Sequence, residues 1–378
     1  MTAEAITETW LKNTVWPRFS RVRRSRKIYL ANHSLGRPPD RMAQDVQHAL
    51  EVWYHDMDEA WSEWLAARER WRALTARLVG AKRADCIIPK TSAGQGLRAV
   101  LNALGDRKLR VVASDEEFDS IDFILRVYRD KGRIDLRLMP WREISAGNAD
   151  LVVISSVMFR SGECVASLGK LLRAAKAAGA LVLLDVYHHA GTLPLDLAAL
   201  EVDFAIGGSY KYLRGGPGAC WLYVRPGLVD TLRTLDTGWF AKRDVFRYER
   251  PDPPQYAPGG DAWLESTPPV LAPVQALAGL EMTLELGVER LRDYSIEQKQ
   301  LLADFLALRR IESTGAGDEH GAFLVVTHPQ AEKLRQGLAA RSVITDVRGD
   351  KLRLCPDILN TEAELAQAAE ELAAVLAG

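Results

Sequence analysis

Residues 203–218 read Asp203-Phe-Ala-Ile-Gly-Gly-Ser-Tyr-Lys211-Tyr-Leu-Arg-Gly-Gly-Pro-Gly218. A short apolar run enters a turn rich in glycine and serine, and one lysine stands on that turn. Taken alone, such a lysine is most often a surface residue beside a loop. Its setting changes the reading. Upstream, Ala180-Leu-Val-Leu-Leu184 has the character of a buried strand, and Asp185 follows it directly. Open α/β sheets bind ligands at strand ends of this kind. Gly207-Gly208 and Gly215-Gly216 flank the lysine and are expected to permit tight turns and a close approach of a ligand to the backbone.

A turn lysine paired with a strand-end aspartate suits pyridoxal phosphate. The Lys211 amine would hold the cofactor as a Schiff base, and Asp185 would pair with the pyridine nitrogen and keep it protonated. Asp185 also has a plainer reading, as an aspartate that caps a turn. His188, three residues on, is open between a hydrogen bond to Asp185 or the cofactor and a structural role. Thr91-Ser-Ala-Gly-Gln-Gly96 lies between Cys86-Ile-Ile88 and a helical pattern over 97–104. Hydroxyls and small residues at a helix start suit a phosphate, although the same residues make an ordinary helix cap. No Gly-Lys-Ser/Thr follows, so the segment is not a P-loop.

Apolar runs recur at 109–113, 151–154, 180–184, 204–206 and 219–224, with helical patterns between several of them. One helix is expected over 168–178, capped by Ser167 and stopped by Gly179. Strands alternating with helices predict an α/β fold with a mostly parallel sheet. Residues 41–79 predict one or two helices with Trp53, Trp61, Trp64 and Trp71 roughly on one face, a stripe read as packing rather than as a ligand site. A long helical pattern over 273–309 leads to a smaller C-terminal α/β unit, with strands expected at 323–326 and 351–354. The predicted organisation is a segment 1–40 packing with the small domain, a large cofactor-binding domain 41–275, and a small domain 276–378.

The 378 residues carry a net charge of −1, with 47% hydrophobic and 26% charged side chains. That length supports a large core and two domains. The balanced charge argues against nucleic acid or an anionic membrane as partner. The basic run 18–27 reads as a solvated or partner-facing segment. Cys86, Cys164, Cys220 and Cys355 are scattered, with no CxxC pair, so neither a metal site nor a disulfide framework is indicated. No apolar run reaches the length of a membrane span, and no signal-peptide pattern opens the chain. A cytoplasmic setting is the default expectation.

Taken together these segments resemble a fold-type I pyridoxal phosphate enzyme of the class V aminotransferase superfamily, and within it they are most similar to kynureninase. Tyr210-Lys-Tyr-Leu-Arg-Gly-Gly-Pro-Gly218 resembles that family's Tyr-Lys-Tyr-Leu-Asn-Gly-Gly-Pro-Gly. Supporting matches, in order, are Asn32-His-Ser-Leu-Gly36, Phe159-Arg-Ser-Gly-Glu163, Asp185-Val-Tyr-His188 with Ala190-Gly191, Thr237-Gly-Trp239 and Ser266-Thr-Pro-Pro269. The resemblance implies a fold-type I fold with a small C-terminal domain, a pyridoxal 5'-phosphate cofactor, a small amino-acid substrate and a homodimer with shared sites. It implies catalytic roles for Lys211, Tyr210 and Asp185. Phe118 would stack on the pyridine ring, Ser155 and His188 would line the cofactor, and Ala93 and Gly94 would meet its phosphate. Trp239 and Thr267 would reach the phosphate of the other subunit. Arg353 would grip the substrate carboxylate, a task that suits a guanidinium fork, and Ser34 would also bind the substrate.

The implied activity is hydrolytic cleavage of the Cβ–Cγ bond of L-kynurenine or 3-hydroxykynurenine. The chain departs from the family pattern at His33, at Phe240-Ala241, at Phe118-Asp-Ser-Ile-Asp122 and before Ser266. These positions fall near the expected substrate pocket, so transamination, epimerisation or β-elimination of another amino acid is the alternative. Cysteine desulfuration is disfavoured, since residues 313–321 contain no cysteine. A non-catalytic regulator built on this fold would need an added DNA-binding domain, for which 1–40 is too short.

Overall fold

Four apolar runs, 151–155, 181–185, 204–208 and 220–224, are strands buried along nearly their whole length, as continuous apolar sequence demands of a sheet covered on both faces. The computed structural model describes residues 5–105 and 107–378, so the first four residues of the predicted N-terminal segment lie outside the described residues. In chain order the strands are β1 (Ile28–Tyr29), β2 (Ile87–Lys90), β3 (Leu109–Ser114), β4 (Ile134–Met139), β5 (Leu151–Ser155), β6 (Leu181–Asp185), β7 (Phe204–Gly208), β8 (Cys220–Val224), β9 (Leu324–Thr327), β10 (Val343–Ile344), β11 (Asp346–Arg348) and β12 (Lys351–Leu354).

Seven strands form the main sheet in the order β2-β8-β7-β6-β5-β3-β4. β3 to β7 pair in parallel, and β8 runs antiparallel to β7 and β2. The expected α/β fold with a mostly parallel sheet is therefore present. β4 was not anticipated: at this edge Asp135 and Arg137 alternate with apolar residues, so no apolar run marks it.

Two expectations need correction. The helix Leu168–Ala177 begins without a side-chain bond from Ser167, whose backbone carbonyl serves the first turn instead. Gly179 does stop it, at φ +77°. The long helical pattern is two helices, Leu271–Leu286 and Val288–Ala307, divided where Gly287 adopts φ +82°. The tryptophan-rich region is likewise two helices, Asp40–Asp56 and Ala60–Leu78. Trp64 takes Trp53 and Trp61 edge-on at 5.6 Å each, while Trp71 is buried in the main core.

A second apolar core lies around the antiparallel sheet β11-β12-β9 and the C-terminal helix Glu362–Ala377. The N-terminal segment joins these parts. β1 pairs with β10, and Leu11, Trp16 and Phe19 pack with Met282, Tyr294 and Ile358. Within the basic run, Arg18 pairs with Glu285 and Arg23 lies 3.6 Å from the Trp16 ring centroid. The chain then doubles back through Asn32–Gly36 onto the Lys211 turn. The Gly36 N–H donates to the Tyr210 carbonyl at 2.8 Å, and a Cβ on Gly36 would lie 1.9 Å from the Lys211 carbonyl oxygen. Only the missing side chain lets the two backbones meet. Gly36→Ala is expected to push them apart and lower stability by about 1–3 kcal/mol, as overpacking does. Urea unfolding monitored by tryptophan fluorescence measures this, and an unchanged midpoint would contradict the contact.

Candidate active site

β5 and β6 end side by side, with Ser155 in register with Asp185. β7 continues through Ser209 and Tyr210 to Lys211. From the other direction the helix Ala93–Ala103 begins just after β2, its N-terminus capped by Ser92 Oγ, which accepts the Gln95 N–H at 3.1 Å. Gly96 lets this helix approach β7, since a Cβ there would stand 2.7 Å from Ile206 Cγ2. The helix Asp119–Asp130 starts next to Phe118. These ends enclose a cavity of about 380 Å³, a size suited to a cofactor. Ala93, Gly94, Phe118, Ser155, Asp185, His188, Tyr210 and Lys211 all line it.

Lys211 is 7% exposed. Its Nζ lies 2.8 Å from His188 Nε2, and His188 Nδ1 lies 3.2 Å from Tyr212 Oη. Burial, then the charges of Lys211 and Arg353, hold His188 well below its ordinary value, so the imidazole is neutral. The neutral ring thus bridges the Lys211 amine and the Tyr212 hydroxyl through its two nitrogens. Burial also lowers the Lys211 pKa, with Asp185 opposing and Arg353 and Arg348 adding to the effect. The rings of Tyr187, Tyr210 and Phe118 stand 5.6, 5.7 and 5.9 Å from Nζ. Burial raises Asp185, against the Tyr187 N–H that donates to its Oδ1 at 2.8 Å and against the Lys211 charge.

Glu117 joins this group and had no signal in the sequence, where it sits in the acidic run Asp115-Glu116-Glu117. It is 4% exposed. Ser155 donates to it twice, from N at 2.8 Å and from Oγ at 2.6 Å. Burial pushes the Glu117 carboxyl up to about 8, the Ser155 bonds oppose this, and the charge of Asp185 adds to it. Near neutral pH burial therefore favours the protonated form of Glu117. Tyr187 and Tyr212 were also missed, although both lie inside the matched segments.

The glycines divide into two kinds. Gly216 adopts φ +70°, as the turn reading expects, whereas Gly215 is needed for packing, since a Cβ there would lie 2.7 Å from Ala276 Cβ; Gly218, at φ +96°, lines the cavity. Gly207 and Gly208 instead complete β7. A Cβ on either would strike a ring, Trp221 at 2.2 Å or Tyr187 at 2.4 Å. Packing explains that pair, not turn geometry.

Four sequence-predicted residues stand outside the cavity lining. Trp239 Nε1 donates to Thr267 Oγ1 at 3.2 Å on the surface. Arg353 is 2% exposed and lies behind Phe159, donating from Nη1 to the Phe159 carbonyl and from Nη2 to Asp346 Oδ2 at 2.5 Å. Ser34 Oγ donates to the same Asp346 oxygen. His33 is fully buried, 4.8 Å from the Phe323 ring and 6.4 Å from His188. Phe240 is buried against Trp239 at 4.5 Å, so packing in the chain itself accounts for that departure. Among the described residues no cluster of potential ligands could hold a metal ion, and no helix is long and apolar enough to cross a membrane.

The residues present fit pyridoxal phosphate. A buried amine with a lowered pKa, a buried carboxylate across the cavity, an aromatic ring at one wall and small residues at a capped helix N-terminus meet the needs of its aldehyde, pyridine nitrogen, ring face and phosphate. The family profile for class-V aminotransferases matches residues 28–333. A kynureninase of Deinococcus radiodurans is 30% identical over 353 residues, covering 88% of this chain and 84% of that protein. An uncharacterised aminotransferase of Bacillus subtilis, YcbU, is 27% identical over 350 residues, covering 88% and 91%. Among solved structures, a C-DES mutant with glycine covalently linked to the PLP cofactor superposes with a TM-score of 0.83 at 18% identity, covering 94% of this chain and 98% of that one. The chain belongs to the class V aminotransferase family and is a pyridoxal phosphate-dependent enzyme of the fold-type I architecture.

Proposed function

We propose that the enzyme hydrolyses the Cβ–Cγ bond of L-kynurenine or 3-hydroxykynurenine. Water adds its oxygen to the side-chain carbonyl carbon and its hydrogen ends on Cβ, so the products are alanine and an anthranilate. The observation that carries this reading is the segment Tyr210–Gly218. It matches the kynureninase pattern at eight of its nine positions and places Lys211 in the cavity beside Asp185 and His188. The relative named kynureninase, at 30% identity over most of both chains, supports it.

Bound pyridoxal phosphate supplies an electron sink for negative charge at the substrate α-carbon. The chain's own residues supply the rest. Lys211 anchors the cofactor and, once freed, moves the α-proton. Its burial favours the neutral amine that both tasks need. His188 holds that amine and is itself braced by Tyr212. Asp185 pairs with the pyridine nitrogen, and a protonated Glu117 spares it a second negative charge nearby. Tyr210 and the start of the helix Ala93–Ala103 receive the phosphate. Trp239 and Thr267, already bonded to each other at the surface, add to the phosphate site of a second copy, which makes the enzyme a homodimer. Arg353 and Ser34 serve the substrate carboxylate.

A second reading, transamination or another reaction on a different amino acid, is favoured by the similarity to YcbU and by His33, where kynureninases usually carry asparagine. Incubating the holoenzyme with L-kynurenine and 3-hydroxykynurenine, and separately with amino acids plus a 2-oxo acid, distinguishes the two. Release of alanine and an anthranilate supports the first. Oxo-acid-dependent amino transfer with no anthranilate release overturns it. Lys211→Ala is expected to abolish the visible absorbance of covalently held cofactor and to lower turnover by at least ~10²-fold. Retention of both would remove Lys211 from the role.

Glu117 gives a pH test. Its folded pKa of about 8 lies above the unfolded value, so the folded state holds the extra proton. That stabilisation is complete below the unfolded pKa and is lost as pH rises through about 8. Glutamine mimics the protonated form. In cofactor-free protein, Glu117→Gln is therefore expected to gain about 1–2 kcal/mol relative to the parent between pH 6 and 8. Urea titrations at the two pH values measure the difference, and a constant difference would mean that Glu117 is ionised.

A further inference from the structure

The two residues assigned above to the substrate carboxylate, Arg353 and Ser34, meet on one carboxylate of the chain. Asp346 lies directly across the β11–β12 hairpin from Arg353. Its Oδ2 accepts from Arg353 Nη2 at 2.5 Å and from Ser34 Oγ, with His33 Nε2 at 3.5 Å. Its Oδ1 accepts from the Val347 N–H and from Arg348 Nη1, each at 2.6 Å. Arg353 is held on a second side, because Nη1 donates to the carbonyl of Phe159, a residue that lines the cavity. Its Nε is buried and has no partner among the described residues. An unpaired buried donor is costly, and a ligand oxygen would relieve it.

We infer that Asp346 is a positioning residue that fixes the Arg353 guanidinium from one side and leaves its free donors, Nε among them, for the α-carboxylate of the substrate. This rests on the proposed role of Arg353. Two features oppose the rival idea that Asp346 merely blocks the site and swings away. A carboxylate offers about four acceptor positions, and here four donors occupy them, so nothing is gained by leaving. The hairpin also sets its Cβ opposite that of Arg353, which anchors the side chain. The charge balance suits one incoming carboxylate: two guanidinium charges, Arg348 and Arg353, against one carboxylate leave a single positive charge. The nearest imidazole, His33, is held neutral by burial, by the charge of Arg353 and despite Asp346.

The test compares L-alanine with ethylamine, which lacks only the carboxylate, by titrating each into the holoenzyme and following the cofactor absorbance. The parent is expected to prefer L-alanine. Arg353→Lys should lose most of that preference. Asp346→Asn should lose about 10-fold of it, the scale of one charge-assisted hydrogen bond, while ethylamine affinity stays within about 3-fold. Asp346→Glu keeps the charge but shifts the carboxylate. It should show the same loss and serves equally if the asparagine variant fails to take up cofactor. If Arg353→Lys loses the preference and both Asp346 variants keep it, the positioning role is wrong and the role of Arg353 stands. If the parent shows no preference, or Arg353→Lys keeps it, the role of Arg353 fails and the inference fails with it.

Discussion

The burial of one lysine amine governs the rest of the site. Moving an ammonium out of water costs several kcal/mol even after relaxation, and a protein lowers that cost by neutralising the amine or by giving it partners. Here both are done. Lys211 loses its proton more easily than in water because it is enclosed, and its Nζ is bonded to a neutral His188 and ringed by three aromatic side chains. A weakly basic, oriented amine is what carbonyl chemistry requires. The same enclosure acts on the carboxyl groups in the opposite sense. It raises Asp185 and Glu117, and the two share the strain unequally, because Ser155 satisfies Glu117 while Asp185 faces Lys211 across the cavity.

That enclosure is built from backbone contacts as much as from side chains. β7 can deliver Lys211 to the cavity only because Gly207 and Gly208 leave room for the rings of Trp221 and Tyr187 against the strand. The turn itself is clamped from outside by Gly36. Residues 31–36 thus tie the N-terminal segment, the end of β12 and the lysine turn together, since Ala31 also bridges Cys355. A shift between the two cores would be felt at the Lys211 carbonyl.

The cofactor end of the site was legible because it is local. Asp185 directly follows, and Lys211 lies just beyond, a short apolar run with the character of a buried strand, and strand ends of a parallel sheet converge. The helix start at Ala93 was also readable from its hydroxyls and small residues, whereas Ser155 and Phe118 were found through the resemblance. Glu117 was not legible, since nothing in Asp115-Glu116-Glu117-Phe118 says which acid turns inward; that depends on Ser155, from another strand. β4 escaped for a related reason, as an edge strand needs apolar residues on one face only. The break at Gly287 was readable in principle, but a lone glycine in a helical pattern does not reveal its φ.

The substrate end was less legible because it is assembled across long distances in the sequence. Arg353 was found through resemblance, yet its partner Asp346 is visible only once the hairpin register is known, for Asp346 and Arg353 face each other across a turn that places Gly349 at φ +59°. Ser34 and His33 come from the far end of the chain, and Phe159 from the turn that follows β5. The departure from the kynureninase pattern at 33 lands in this second set of contacts and the one at 240 packs against Trp239, while the Lys211 segment keeps eight of its nine positions. Two sets of residues with few members in common can vary separately. The cavity around Lys211 can therefore be kept while the contacts around Arg353 change, and here the change at His33 lies beside the carboxylate that binds Arg353.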